Sequence, residues 1–132
     1  MSAEAAYIDS SAFVKTIVVE AESQALQRFL ANCDRVVSSA LLQTETVRAV
    51  TRVAPELASL VERRLDRVGL VAVGRAVLAA AGTLHPVQIR TLDAIHLATA
   101  QLFGNELAAI VTYDQRMMAA ARDLGLPVQS PH

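Results

Sequence analysis

Short apolar runs alternate with helix-patterned stretches along the whole of this 132-residue chain, and no turn signal joins two runs as a hairpin. Runs that never follow one another directly have to be linked by helical crossovers. That implies an α/β fold with a parallel sheet and helices on both faces. A first strand occupies residues 6–9. Ser10 or Ser11 then caps a helix through Phe13, Val14 and Ile17. A second helix runs from Glu20 to Asn32, with Leu26, Phe29 and Leu30 on one face, and a buried strand follows at Arg35–Ser38. Ser39 starts a long helix with the stripe Leu42, Ala49, Val50 and Val53. Pro55 breaks that helix and opens the next, Glu56 to Arg67, which Gly69 ends. Leu70–Val73 reads as a strand and Arg75 to Ala81 as an Ala-rich helix. Gly82 and Pro86 mark a loop. Thr91 to Phe103 reads as a helix, and Leu107–Thr112 is the clearest strand. A last helix runs from Asp114 to Gly125, and Pro127-Val128 adds a short edge strand.

Composition agrees with this outline. Apolar residues make up 53 % of the chain and aromatics only 4 %, so the core has to be Ala, Val, Leu and Ile. Such a core suits helices on a buried parallel sheet better than an antiparallel sandwich. The length fits one domain over residues 1–132, and neither repeats nor linkers divide it. A mean hydropathy of +0.36 is high and points toward self-association or a bound partner. The net charge of −1 argues against a strongly basic nucleic-acid binder. Eleven of the twelve basic residues are nevertheless Arg, the better fork for phosphates. Arg63, Arg64 and Arg67 cluster, either as a solvated helix face or as a contact site. Cys33 is the single cysteine, which excludes an internal disulfide. No signal peptide or transmembrane stretch is evident, so a cytoplasmic protein with no membrane association is expected.

Four carboxylates sit at the edges of apolar segments: Asp9, Glu45, Asp93 and Asp114. A lone charge there is costly unless something pairs with it. In an open parallel sheet, ligands bind beyond the carboxyl ends of the strands. Asp9 and Asp114 follow strands directly. Glu45 lies early in the helix after the second strand, beside the apolar stripe. Asp93 lies in the first turn of its helix, on the side of Leu97. Each acid has an ordinary explanation when taken singly. Asp9 and Asp114 can cap helices, Asp93 can complement a helix dipole, and Glu45 can lean toward Arg48 or Arg52. Four acids converging on one edge are harder to explain by capping. Gathered carboxylates repel, and a divalent cation with oxygen ligands resolves that conflict. Phosphate-ester cleavage with Mg²⁺ or Mn²⁺ gives such a cluster a purpose. Thr112, Ser10 and Ser38 can orient a carboxylate or a metal-bound water, or merely end strands and cap helices.

These residues resemble those of the PIN-domain nucleases, most closely the VapC toxins of toxin–antitoxin pairs. The matching pieces are Tyr7-Ile-Asp9-Ser-Ser-Ala, Ser38-Ser-Ala-Leu-Leu-Gln-Thr-Glu45-Thr-Val-Arg-Ala, Leu92-Asp93-Ala-Ile-His-Leu-Ala and Val111-Thr-Tyr-Asp114-Gln-Arg-Met. They fall in order over essentially the whole chain. The resemblance implies a PIN fold, with a parallel sheet of four or five strands between helices. It implies an endoribonuclease in which Asp9, Glu45, Asp93 and Asp114 hold Mg²⁺ or Mn²⁺ and carry catalysis. An activated water then leaves a 5′-phosphate and a 3′-hydroxyl. It further implies RNA as substrate, a homodimer, and a VapB-like antitoxin over the RNA groove. An antitoxin segment is expected on the first two helices, near Phe13, Val14, Ile17 and Phe29.

Other readings were weighed. A zinc site built on Asp93, His96 and His85 lacks further ligands. His96 instead packs beside the acids or hydrogen-bonds a group around them. Arg48 and Arg116 lie within about a turn of acids on their own helices and either tether them or contact phosphate. A receiver domain that accepts a phosphoryl group is a rival function. It wants paired acids after the first strand and a Lys after the last, and Lys15 is the only Lys here. A catalytically inactive PIN-like protein-binding module is the other rival, and retention of all four acids argues against it.

Overall fold

The first strand, β1 (Ala5–Ile8), is buried along its whole length and forms the centre of the sheet. A computed structural model describes residues 4–132. Around β1 lie β2 (Arg35–Ser39), β3 (Gly69–Val71), β4 (Leu107–Val111) and β5 (Val128–Gln129), in the spatial order β3-β2-β1-β4-β5. Every pairing is parallel, as the absence of hairpin signals requires. The helices are α1 (Ser10–Phe13), α2 (Ser23–Ala31), α3 (Leu41–Val53), α4 (Leu60–Leu65), α5 (Arg75–Gly82), α6 (Thr91–Gln101) and α7 (Gln115–Asp123). The expected α/β class with a five-stranded parallel sheet is therefore the observed one.

The pleat of β1 sorts the core into two layers. Ala6 and Ile8 face one side and pack with Phe13, Leu26, Leu42, Val50 and Val61 from α1 to α4. Ala5 and Tyr7 face the other and pack with Leu97, Ala100, Met117 and Ala121 from α6 and α7. Leu42 is fully buried in the first layer. Cutting it to Ala would cost about 2–5 kcal/mol, because close-packed neighbours collapse only partly into the gap. α5 packs on α6 through Val77, Ala81, Ala94 and Ala98, which makes a third, smaller cluster.

Several boundaries differ from the sequence reading for physical reasons. The first helix is one short α turn followed by a 3₁₀ turn at Val14–Thr16, and its N-cap is Asp9 rather than a serine. The buried stripe of α3 is Leu42, Thr46 and Val50, spaced by four, while Val53 is 68 % exposed. The helix expected over Glu56 to Arg67 splits into a 3₁₀ turn at Pro55–Leu57 and α4. Phe13 and Ile17 are core residues, 4 % and 7 % exposed, while Val14 and Phe29 of the same apolar patch stay partly exposed. Among the described residues no helix is long and apolar enough to cross a membrane.

The strand order places a topological switch between β1 and β4. Chain leaving β1 crosses to β2 on one side, while β4 arrives on the other. The two strands diverge in their connections at their carboxyl ends, and the crevice left there is where ligands bind in such sheets.

Candidate active site

Asp9 stands at the carboxyl end of β1, in that crevice, and is 5 % exposed. Its Oδ1 accepts hydrogen bonds from the Ser11 hydroxyl at 2.7 Å and the Ala12 amide at 3.1 Å. Its Oδ2 accepts one from the Thr112 hydroxyl at 2.5 Å. Thr112 lies just beyond β4 and is fully buried. The Thr112 oxygen accepts in turn from the Asp114 amide at 3.1 Å. Ser11 closes the loop by accepting from the Tyr113 amide at 2.9 Å. The ends of β1 and β4 are thus stitched together through the carboxylate they present. Burial pushes the Asp9 carboxyl above the usual carboxylate range, against the pull of Thr112, Ser11, the Ala12 amide and His96.

Asp114 caps α7, its Oδ1 accepting from the Arg116 amide at 2.9 Å and the Met117 amide at 3.4 Å. Capping and presentation are not alternatives here. One oxygen closes the helix, and the side chain still lines a cleft of about 370 Å³ together with Asp9, Glu45 and Asp93. All four acids singled out from the sequence therefore share one cavity. Asp93 lies in the first turn of α6, half-buried. Its carboxyl is raised, first by burial and then by the charge of Asp114, with Glu45 adding to the shift and His96 and Arg90 opposing it.

Glu45 reaches the cleft from the second turn of α3. Its Oε1 lies 2.6 Å from His96 Nε2. His96 is 2 % exposed, and its Nδ1 lies 2.7 Å from the Tyr7 hydroxyl. Burial pushes the Tyr7 phenol well up, so it keeps its proton as a donor. The ring bridges the phenol through Nδ1 and the Glu45 carboxylate through Nε2. His96 thus takes the hydrogen-bonding role anticipated for it. Tyr7 and Ser11 were missed as supports. A tyrosine in a strand reads as core, and Ser11 looked like a cap; only the β1–β4 pairing brings either to the acids. Ser38 instead donates to the Ile8 carbonyl at 2.6 Å and holds strand to strand.

Neither Arg48 nor Arg116 tethers an acid: among the described residues, no Lys or Arg forms an ion pair with any of the four carboxylates. Both arginines point to solvent, since the acids on their helices turn inward to hydrogen-bond partners. His85 is exposed and outside the cleft lining, so the zinc constellation is not assembled. Among the described residues no three His, Cys, Asp or Glu side chains close on one point as a finished metal cage. The donor chemistry nonetheless fits a hard divalent cation. All four candidate ligands are carboxylates, none is ion-paired with Lys or Arg among the described residues, and Asp93 registers the repulsion of Asp114 and Glu45.

The PIN domain pattern matches residues 6–123 of this chain. Over 96 % of its length the chain is 46 % identical to ribonuclease VapC46 of Mycobacterium tuberculosis, covering 98 % of that protein. The chain belongs to the VapC family of PIN domains. Ribonuclease VapC35 of the same organism is 44 % identical over 95 % of the chain and 96 % of its own length. Two solved structures share the fold of this PIN domain at only 18 % identity. One is Mycobacterium tuberculosis VapC20, described as a Sarcin-Ricin loop cleaving toxin, with a TM-score of 0.71 over 86 % of this chain and 93 % of that one. The other is a toxin–antitoxin complex from Klebsiella pneumoniae, with a TM-score of 0.73 over 96 % and 98 %.

Proposed function

We propose that this VapC-family PIN domain is a divalent-metal-dependent endoribonuclease and the toxin of a toxin–antitoxin pair. One observation carries the reading. Acids from four separate segments line a single cleft at the switch point between β1 and β4, with no Lys or Arg paired to them among the described residues. The names of the relatives at 46 % and 44 % identity support the reaction class.

Asp9, Glu45, Asp93 and Asp114 are the proposed ligands of Mg²⁺ or Mn²⁺ and the catalytic set. Such a cation, when bound, lowers the pKa of a water and offsets charge on the leaving oxygen. The chain supplies orientation. Thr112 and Ser11 fix the Asp9 carboxylate, so few of its rotamers have to be frozen when a ligand arrives. His96 does the same for Glu45, leaving Oε2 free for other partners.

The antitoxin is assigned to the first two helices, the surface expected from the sequence, extended toward α4. A groove of about 440 Å³ between α1, α2 and α4 has Phe13, Leu30 and Val68 along its floor and Arg64 and Arg67 on its rim. It suits an amphipathic partner segment bearing acids beside its apolar face. Self-association would use exposed Leu78 and Val87, 47 % and 79 % exposed, which flank a second, apolar groove beside α5 and α6.

Incubation of purified protein with RNA and Mn²⁺, with EDTA and Asp9→Asn as controls, tests the reaction. New 5′-phosphate ends only with active protein and metal are expected. RNA left intact with Mn²⁺ would sink the nuclease reading in favour of a protein-binding module. Incorporation of label from acetyl phosphate would favour a receiver.

A further inference from the structure

An acidic cleft repels the polyanion it is meant to cut. RNA therefore needs cationic groups near the cleft that are not already occupied by the acids. The only Lys or Arg in the lining of the acidic cleft, among the described residues, is Arg90. Arg90 also lines a second groove, of about 330 Å³, which shares Asp93 with the first and adds Arg116. The two cavities are therefore contiguous, joined along Arg90 and Asp93.

Both arginines are exposed, and neither forms an ion pair among the described residues. This holds although Asp93 and Asp123 line the same groove. Guanidinium groups that decline the carboxylates around them remain open to an external anion. The floor between them is small and apolar, made by Ile89, Ala119 and Ala120. No aromatic residue is present in the groove on which a base could stack.

Resting on the nuclease reading above, we infer that this groove is a phosphate subsite, in which Arg90 and Arg116 hold the RNA backbone next to the bond that is cut. Without a stacking platform the contact is to phosphate and ribose, so it adds affinity and register but no base preference. Choice of sequence must then be made elsewhere on the surface. The charge of Arg90 also acts on Asp93, so the subsite and the acid cleft are electrostatically linked.

The test uses the full chain carrying Asp9→Asn, with Mg²⁺, so that RNA is bound without being cut. Fluorescence anisotropy reads the affinity for end-labelled oligouridylate and oligoadenylate. Arg90→Gln and Arg116→Gln should each weaken both RNAs about three- to tenfold. The double variant should make the dependence of log K on log salt shallower by about 1.4, for two phosphate contacts on a single strand. Arg52→Gln and Arg122→Gln are exposed controls with the same charge change and no place in either groove. They should shift affinity less than about twofold. With Asp9 restored, the groove variants should raise KM with little change in kcat.

Three results would overturn the subsite. Controls that weaken binding as much as the groove variants would show diffuse attraction. A loss confined to one base would show base reading. Unchanged RNA affinity, with binding of oligoglutamate lost instead, would make the groove a protein-docking site. The nuclease reading is judged separately: a restored-Asp9 chain that never cuts RNA would end it, and an Arg-dependent loss of binding would still uphold the subsite.

Discussion

His96 Nε2 and Glu45 Oε1 stand 2.6 Å apart, and Nδ1 of the same imidazole is hydrogen-bonded with the Tyr7 hydroxyl at 2.7 Å. One ring thereby couples the central strand to an acid on α3. Outer partners of metal ligands commonly govern affinity by ten- to a hundredfold. His96→Ala should therefore weaken Mn²⁺ binding by about tenfold or more, read by calorimetry. It should also lower stability by about 1–3 kcal/mol, since the buried Tyr7 hydroxyl loses its imidazole partner. Adding Tyr7→Phe to that variant should recover part of the stability and none of the metal affinity. Unaltered Mn²⁺ affinity in His96→Ala would remove the imidazole from the site's machinery.

Asp9→Asn should reduce RNA cleavage by roughly a hundredfold or more, because several kcal/mol of charge stabilisation depend on this ligand. The fold should survive. An amide oxygen still accepts from Ser11 and from the Ala12 amide, and Asn is as good an N-cap as Asp. Circular dichroism and a cleavage assay on the same preparation decide the matter. Full activity in a clean sample would dismiss the role given to Asp9.

Asp93 supplies a stability test that needs no RNA. Its carboxyl is raised, so the folded chain holds that proton more tightly than the unfolded one. The stability it contributes is complete below the ordinary carboxylate pKa. It is lost as pH rises through the raised folded value. Asp9 acts in the same direction, while exposed Glu22 beside Lys15 is lowered and acts the opposite way. Comparing Asp93→Asn with wild type cancels the other groups. In EDTA the variant should melt higher than wild type at neutral pH, and the gap should close in mild acid. Mn²⁺ should raise the wild-type midpoint by mass action and the variant's much less. A variant that melts lower at neutral pH without metal would contradict a shared carboxylate pocket.

Thr46 carries the one buried side-chain oxygen without a hydrogen-bond partner among the described residues. It sits in the apolar stripe of α3 between Leu42 and Val50. Thr46→Val keeps the branched shape and removes the orphan. It should stabilise the protein by about 1 kcal/mol in denaturant melts. Destabilisation would mean that the hydroxyl has a partner after all.

The alternation of runs was enough to read the parallel sheet. The four acids were legible because a charge beside an apolar run is costly and so conspicuous. Their helpers were legible only in part: Thr112 and His96 were candidates, while Tyr7 and Ser11 were not. Thr112 and Ser11 are common strand-end and capping residues, and their bonds to Asp9 exist only once β1 and β4 pair. Phe13 and Ile17 are largely covered by the core, because periodicity marks a face without saying how much of it the sheet covers. Arg116 was open to a phosphate contact from its place beside Asp114, but Arg90 carried no local signal, since the two lie on separate segments and line one groove only in the fold.

The hydrogen bond from Thr112 to Asp9 joins residues 103 apart in the chain. Contacts of such span form late in folding, because a long loop must close before they repay its entropy. A chain folded only through α3 holds Asp9 and Glu45 and lacks Asp93 and Asp114. If the proposed ligand set is the catalytic one, such a chain is unarmed. Toxicity is then a property that arrives with the docking of β4 onto β1, not with synthesis of the first motif. Truncated products and stalled nascent chains would be harmless to the cell making them. A cognate inhibitor made alongside has the interval before that docking in which to meet its target.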